Sequence, residues 1–264
     1  MQGRNGSKWR IACVTAASVC LGLAGVAKAE PPPPRNWDLS IDLYGWIPAT
    51  DLELRGHGFG GEFSNHYDKH LSDAFEDLDG GGGGDIRFRW DRIVGYLDGA
   101  WVQSDENSDG WFTNWMIDAK LGYRVLDLNP PRSSVPNPSD TGHHFTLDLL
   151  AGGRYRNAET NVEIDTDAFG RRGFHDQRDW FDPLVGLATS YWFTPNLSFS
   201  TVADIGGFDA GNGSHLTWSL NPRLTYRAWD HLNLFLGWKY LQEDHDHHFD
   251  DKLMGPQAGI GWAF

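Results

Sequence analysis

From His215 to Arg227 the chain alternates with almost no exception. Leu216, Trp218, Leu220, Leu224 and Tyr226 take one set of positions; His215, Thr217, Ser219, Asn221, Arg223, Thr225 and Arg227 take the other. Successive side chains of a β-strand point to opposite faces, so this spacing predicts a strand with one apolar and one polar side. A helix would bring Leu220 and Arg223 close together and mix the two sets. Pro222 falls inside the run and cannot donate to a ladder, so a bulge is expected there.

The same period recurs along the chain. Strands are predicted at 37–46, 85–90, 93–104, 111–126, 144–156, 180–193, 197–208, 215–228, 232–244 and about 253–264, with turn residues between them. That makes ten, and 50–56 is an eleventh candidate. An even count suits a closed antiparallel barrel, so 50–56 is placed in the first outer loop or as an extension of the first hairpin. Twelve strands is the alternative. Leu71, Ala74, Phe75 and Leu78 are spaced for one face of a short helix over 70–80, set in a loop or in the lumen, and Gly80 to Gly84 would break it. Connections at 91–92, 194–196 and 229–231 are short. Those at 47–84, 105–110, 157–179, 209–214 and 245–252 alternate with them as outer loops. The Pro/Ser-rich connection at 127–143 falls with the short ones and is long for that side.

Composition decides what meets the apolar faces. The chain carries 13 tryptophans and 32 glycines, yet its mean hydropathy is −0.48. A transmembrane β-barrel has this mixture, because only every second residue of each strand meets lipid. Trp37, Trp46, Trp90, Trp111, Trp180, Trp192, Trp229 and Trp262 lie at or near strand ends, where aromatic girdles are expected. The fold class is therefore all-β, a transmembrane antiparallel up-and-down barrel.

Residues 1–29 read as a cleaved signal peptide. Arg4, Lys8 and Arg10 precede an apolar run, and Ala27-Lys28-Ala29 is an A-x-A cleavage site. A Pro-rich spacer at 30–36 then leads into the barrel domain, 37–264. Cys13 and Cys20 both lie in the leader, so the mature fold closes without disulfides. Losing Arg4, Lys8, Arg10 and Lys28 from 22 basic residues leaves 18 against 36 acids, a formal charge of −18. That charge excludes nucleic acid as a main partner. It leaves divalent cations at acidic loops as an option, beside outer-membrane lipid. The expected state is a monomer.

LYGWIPATDLELRG, LSDAFEDLDG, DPLVGLATSYW, DIGGFDAGN, GWKYLQEDH and GPQAGIGWAF occur in this order. With them the chain resembles an uncharacterised family of proteobacterial outer-membrane β-barrel proteins. The resemblance implies a barrel in the bacterial cell outer membrane and no assigned reaction. Phe264, Trp262 and Ile260 also look like the assembly signal of such barrels, read by the barrel-assembly machinery.

The polar faces supply the candidate site. Inward acids are Asp38, Asp42, Asp98, Asp118, Asp148, Asp182 and Asp204. Inward bases are Arg87, Arg89, Lys120, Arg124, Arg154, Arg156, Arg223, Arg227 and Lys239. Near balance of sign in a narrow barrel predicts a salt-bridged plug; a narrow polar conduit is the other reading. His245, His247 and His248 are weak metal candidates on an exposed loop. No cofactor and no catalytic residues are expected. Ser214 and His215 are adjacent and point to opposite faces, and no G-x-S-x-G or H-E-x-x-H occurs. The expected function is structural, or a narrow diffusion pore. A surface binding or adhesion module acting through outer loops, and a membrane-embedded hydrolase, stay open.

Overall fold

The computed structural model describes residues 36–58, 61–69, 80–106, 110–128, 143–166, 170–245 and 249–264. Expectations for the leader at 1–29, the spacer up to 35, the helix at 70–79 and the long connection at 129–142 lie outside them.

Twelve strands are formed: β1 (Trp37–Trp46), β2 (Ala49–Gly58), β3 (Gly61–Lys69), β4 (Gly80–Trp90), β5 (Ile93–Glu106), β6 (Gly110–Leu128), β7 (His144–Thr166), β8 (Gly170–Thr194), β9 (Leu197–Gly207), β10 (Leu216–Arg227), β11 (Leu232–His245) and β12 (Phe249–Ala263). Ten of them, β1 and β4 to β12, close an antiparallel barrel through the β1–β12 seam. Closure leaves no barrel strand with an unpaired edge in the apolar zone.

The segment 50–56 extends the first hairpin. Trp46 pairs with Gln257 and Ala49 with Met254, so β2 continues β1 along β12 in unchanged register. Ile47 keeps the link by donating its N–H to the Pro256 carbonyl at 3.2 Å. β3 then folds back along β2.

Four expectations change. Gly80 to Gly84, expected only as a break, are themselves strand: they begin β4 and pair with β5, four of them also with β1. The segments 157–179 and 245–252 are mostly ladder, with β7 and β8 paired out to Thr166 and Gly170, and β11 and β12 out to His245 and Phe249. Pro222 sits without a bulge: β10 keeps one register with β9 throughout and with β11 on both sides of Asn221-Pro222. The ladder to β11 simply lacks those two residues, the local cost of a missing donor. Finally, Trp46 and Trp180 are not girdle residues. They are 0% and 4% exposed and sit inside the barrel.

The outer surface is apolar where β-strand phase requires it. Ile41, Leu43, Ile86, Phe88, Leu97, Leu121, Leu220, Leu224 and Leu236 are all exposed. Trp37, Trp90, Trp229 and Trp262 ring the short-turn end, whereas Trp101, Trp115 and Trp238 are exposed toward the other. Trp101 and Trp115 are direct ladder partners, and Trp218 lies against Tyr240 at 4.3 Å between centroids. Trp192 stacks on His144. The side chain of Trp111 lies outside the described ones.

Candidate functional site

The lumen is the site, and strand register builds it. Asp42, Asp85, Asp98, Asp118, Arg154 and Asp182 are successive cross-strand partners on β1, β4, β5, β6, β7 and β8. Five aspartates thus share one row with a single arginine. Like charges directly opposite each other destabilise a sheet, so this row needs cations from elsewhere.

They come from the facing wall and from the next positions along the strands. Arg223 on β10 reaches Asp85 at 2.5 Å and Asp42 at 3.4 Å. Arg87 bonds Asp42 at 2.7 Å and Asp85 at 2.8 Å. Lys239 on β11 bonds Asp98 at 2.5 Å and donates to the Tyr44 hydroxyl at 3.0 Å. Tyr44 donates in turn to Asp98 at 2.6 Å. Arg154 holds Asp118 with two parallel bonds of 2.8 and 2.7 Å, and reaches Asp204 at 3.0 Å. Lys120 closes this group on Asp204 at 2.5 Å and Asp118 at 3.2 Å. Bidentate arginine–carboxylate pairs of this kind are the strong and directional ones.

A second group lies toward the long hairpins. Glu243 and Asp251 are ladder partners with like charge, and Arg156 bridges them, with 2.8 Å to Asp251 and a short bond to Glu243. Arg156 is fully buried. Thr217 links the two groups, accepting from Arg154 at 2.9 Å and donating to Glu243 at 3.3 Å. At the short-turn end Arg124 pairs with Asp148, which also accepts from Tyr96 at 3.0 Å, and Arg89 pairs with Asp38 at 2.5 Å.

Two of the inward residues stand apart from these ion pairs. Asp182 accepts the Ser214 N–H at 2.6 Å. Arg227 has two buried guanidinium nitrogens with no hydrogen-bond partner among the described residues. Three members escaped the sequence list. Asp85, Glu243 and Asp251 lie in phase with Arg87, Lys239 and Gln257, so extending each strand's alternation would have found them.

The lumen is also less uniformly polar than its charges suggest. Trp46, Val102, Met116, Leu241 and Leu253 form a buried apolar layer with Tyr44 and Phe235, and Val94, Leu150 and Ala188 form another. Arg223 lies 4.6 Å from the Phe235 ring centroid, and Lys239 5.4 Å from that of Trp46. One cavity of about 60 Å³ lies among these groups, bordered by Asp85, Tyr96, Lys120, Thr201, Ser219 and Arg223. That holds a few water molecules.

The other candidates are not assembled. His245 ends β11, His247 and His248 lie outside the described residues, and among the described residues no three His, Cys, Asp or Glu side chains are grouped for a metal. Ser214 is buried, whereas His215 is exposed and bonded to Asp209 at 3.0 Å.

No family model matches the sequence, and no curated protein matches it. Solved structures do. The outer membrane protease OmpT from Escherichia coli is 12% identical with a TM-score of 0.52, over 88% of this chain and 97% of that one. Ail, the attachment invasion locus protein of Yersinia pestis, is 13% identical with a TM-score of 0.36, over 87% and 99%. The N-terminal β-barrel domain of Pseudomonas aeruginosa OprF is 11% identical with a TM-score of 0.32, over 87% and 98%. At these identities the likeness concerns the fold alone, and only the first score is high enough to carry that. The chain has the fold of a bacterial outer-membrane β-barrel.

Proposed function

We propose that this protein is an integral outer-membrane barrel with a closed lumen, a rigid support that presents its long hairpins at the cell surface and acts there by binding. The packed lumen carries this reading. Charges on opposite walls are bonded directly to each other, apolar layers lie among them, and the cavity between them is about 60 Å³. An ion path would need a continuous wet lining, and paired groups such as Arg223 with Asp85 have no free field to offer a passing ion. The exposed apolar zone, with tryptophans toward both ends, suits a bilayer. Short turns on one end and extended hairpins on the other suit a periplasmic and an external side. The resemblance to an uncharacterised proteobacterial barrel family agrees with this, and the proposal assigns no reaction. Planar-bilayer recordings on refolded protein test it. No conductance above lipid background is expected; a steady ion-selective conductance would overturn the closed lumen.

A further inference from the structure

Among the described residues, the β7–β8 hairpin ends in a strand edge that no other strand pairs. β9 pairs with β8 only from Leu184 onward, and β6 pairs with β7 only as far as Val162. β7 and β8 run on together to Thr166 and Gly170. The end of the hairpin is therefore a ribbon of two strands. Such a ribbon is marginal in water, and three or more strands make a stable sheet.

The open edge has a definite length. At its inner end the Asn212 amide donates to the Asp179 carbonyl at 2.9 Å and closes it. At its outer end lies Gly170, where β8 begins. Alternate residues of a strand turn their peptide groups to the same side. The Asp179 carbonyl faces this edge, and the β7–β8 ladder runs without a register shift, so Gln177, His175, Gly173 and Arg171 offer theirs along it. Natural sheets defend such edges with proline, bulges or charge. No proline and no bulge falls in 170–178.

The charges do not defend the edge either, because they complement themselves. Phe174 is the middle of 170–178. A second copy laid antiparallel about that centre sets Phe174 opposite Phe174, and each Arg172 opposite an Asp176. Aromatic pairs and opposite-charge pairs across strands both add stability. The free peptide groups belong to the odd positions, so these even positions become the non-hydrogen-bonded pairs, in which the two chains come closest. Two ribbons then make one four-stranded sheet, with Val162 following each Phe174 in the ladder.

Strand direction decides where the second copy stands. β8 runs from the hairpin toward the barrel in every copy. Two barrels in one membrane would bring these edges together in parallel, and in register that sets Arg172 beside Arg172, a destabilising pair. Antiparallel pairing joins barrels that face each other from two membranes.

We infer that the β8 edge at 170–178 is a self-recognition site through which copies on two facing outer membranes pair. The inference names the partner for the surface-binding role proposed above and rests on that reading for its outward orientation. It departs from the monomer expected on sequence alone. Lipid vesicles carrying the refolded mature protein test it. Wild-type vesicles should cluster, as read by light scattering. Asp176→Arg and Arg172→Asp should each lower clustering to the level of protein-free vesicles while both stay heat-modifiable. Mixing the two variant populations should restore it, because each charge then meets its opposite. Residues 30–264 contain no cysteine, so a single one reports the register. Under oxidation Phe174→Cys should form a disulfide dimer in detergent and between differently labelled vesicles. Arg171→Cys, set about 20 Å from its own copy in this register, should not. Wild-type vesicles that stay dispersed, a variant mixture that stays dispersed, or dimers formed only within one vesicle would overturn the inference. Conductance of the same preparation keeps the two proposals apart, because a silent barrel whose vesicles stay dispersed defeats only this one.

Discussion

Arg223 on β10 and Asp85 on β4 meet across the barrel, Nη1 to Oδ2 at 2.5 Å, although their strands are not neighbours in the sheet. Both side chains are buried. Without Arg223, Asp42 and Asp85 share Arg87 alone, which leaves one buried negative charge in excess; breaking a buried pair in this way costs about 3–5 kcal/mol. Arg223→Ala should therefore lower the urea midpoint of the refolded barrel clearly, with conductance at background before and after. An unchanged midpoint together with a shift toward cation selectivity would mean that Arg223 lines water.

The outer face can be checked by depth. Leu220 lies among exposed apolar residues between Trp218 and Leu224, and Leu220→Arg should cost about 2–4 kcal/mol in refolding titrations. Trp90, at the end of β4 in the short-turn ring, should tolerate the same change at about 0–1 kcal/mol. Equal penalties would contradict the apolar zone assigned here. Thr217 makes a poor mild control on the lumen side. It is fully buried and accepts from Arg154, so Thr217→Arg would crowd a second cation against the first.

Gly83 marks a place where the wall needs no side chain. A Cβ there would lie 2.4 Å from the Gly99 carbonyl oxygen and 2.6 Å from the Tyr44 hydroxyl. Gly83→Val should push Tyr44 off Asp98 and destabilise the fold by about 1–3 kcal/mol, the usual cost of overpacking. Far-UV circular dichroism against temperature would show a lowered transition; an unshifted one would mean that β4 and β5 separate at this level without loss.

Phe264 closes the seam, its N–H bonded to the Leu39 carbonyl at 2.9 Å and its ring exposed in phase with Ile260 and Trp262. Phe264→Asp should leave export intact and sharply reduce heat-modifiable protein in the outer membrane, as read by gel shift on membrane fractions. Wild-type amounts would remove Phe264 from the assembly signal.

Alternation within a strand was enough to sort Leu220 from Arg223 and Ile86 from Arg87, because only two faces exist. It could not place Trp46 or Trp180. A tryptophan near a strand end is apolar enough for lipid and equally able to pack against a buried cation, as both do here with Lys239 and Arg156. Register was legible only where a turn is tight. The two-residue turn at Asp91-Arg92 fixes Trp90 opposite Ile93 and, farther along the hairpin, Asp85 opposite Asp98. Nothing as short links β6 to β7, whose register also shifts near Arg124. So the meeting of Asp118 with Arg154 is not legible in the sequence. The strand at Gly80 to Gly84 was hidden for another reason. Glycine is a poor strand former by propensity, and only the nearness of Tyr44 and Trp101 explains its use.

The row of five aspartates bears on how the barrel comes together. Strands β1 and β4 to β8 can pair in sequence, but from β1 to β6 each step adds a carboxylate beside the last, with only Arg87, Lys120 and Arg154 from the same half to offset the row. The remaining counter-charges, Arg223 and Lys239, sit on β10 and β11. A half-built sheet is thus electrostatically incomplete, and its missing cations arrive only as the far wall curls over. Closure and neutralisation are then one event. A barrel wired in this way should pass from open sheet to finished wall without a stable halfway form, because the strands that seal it are also the ones that discharge it.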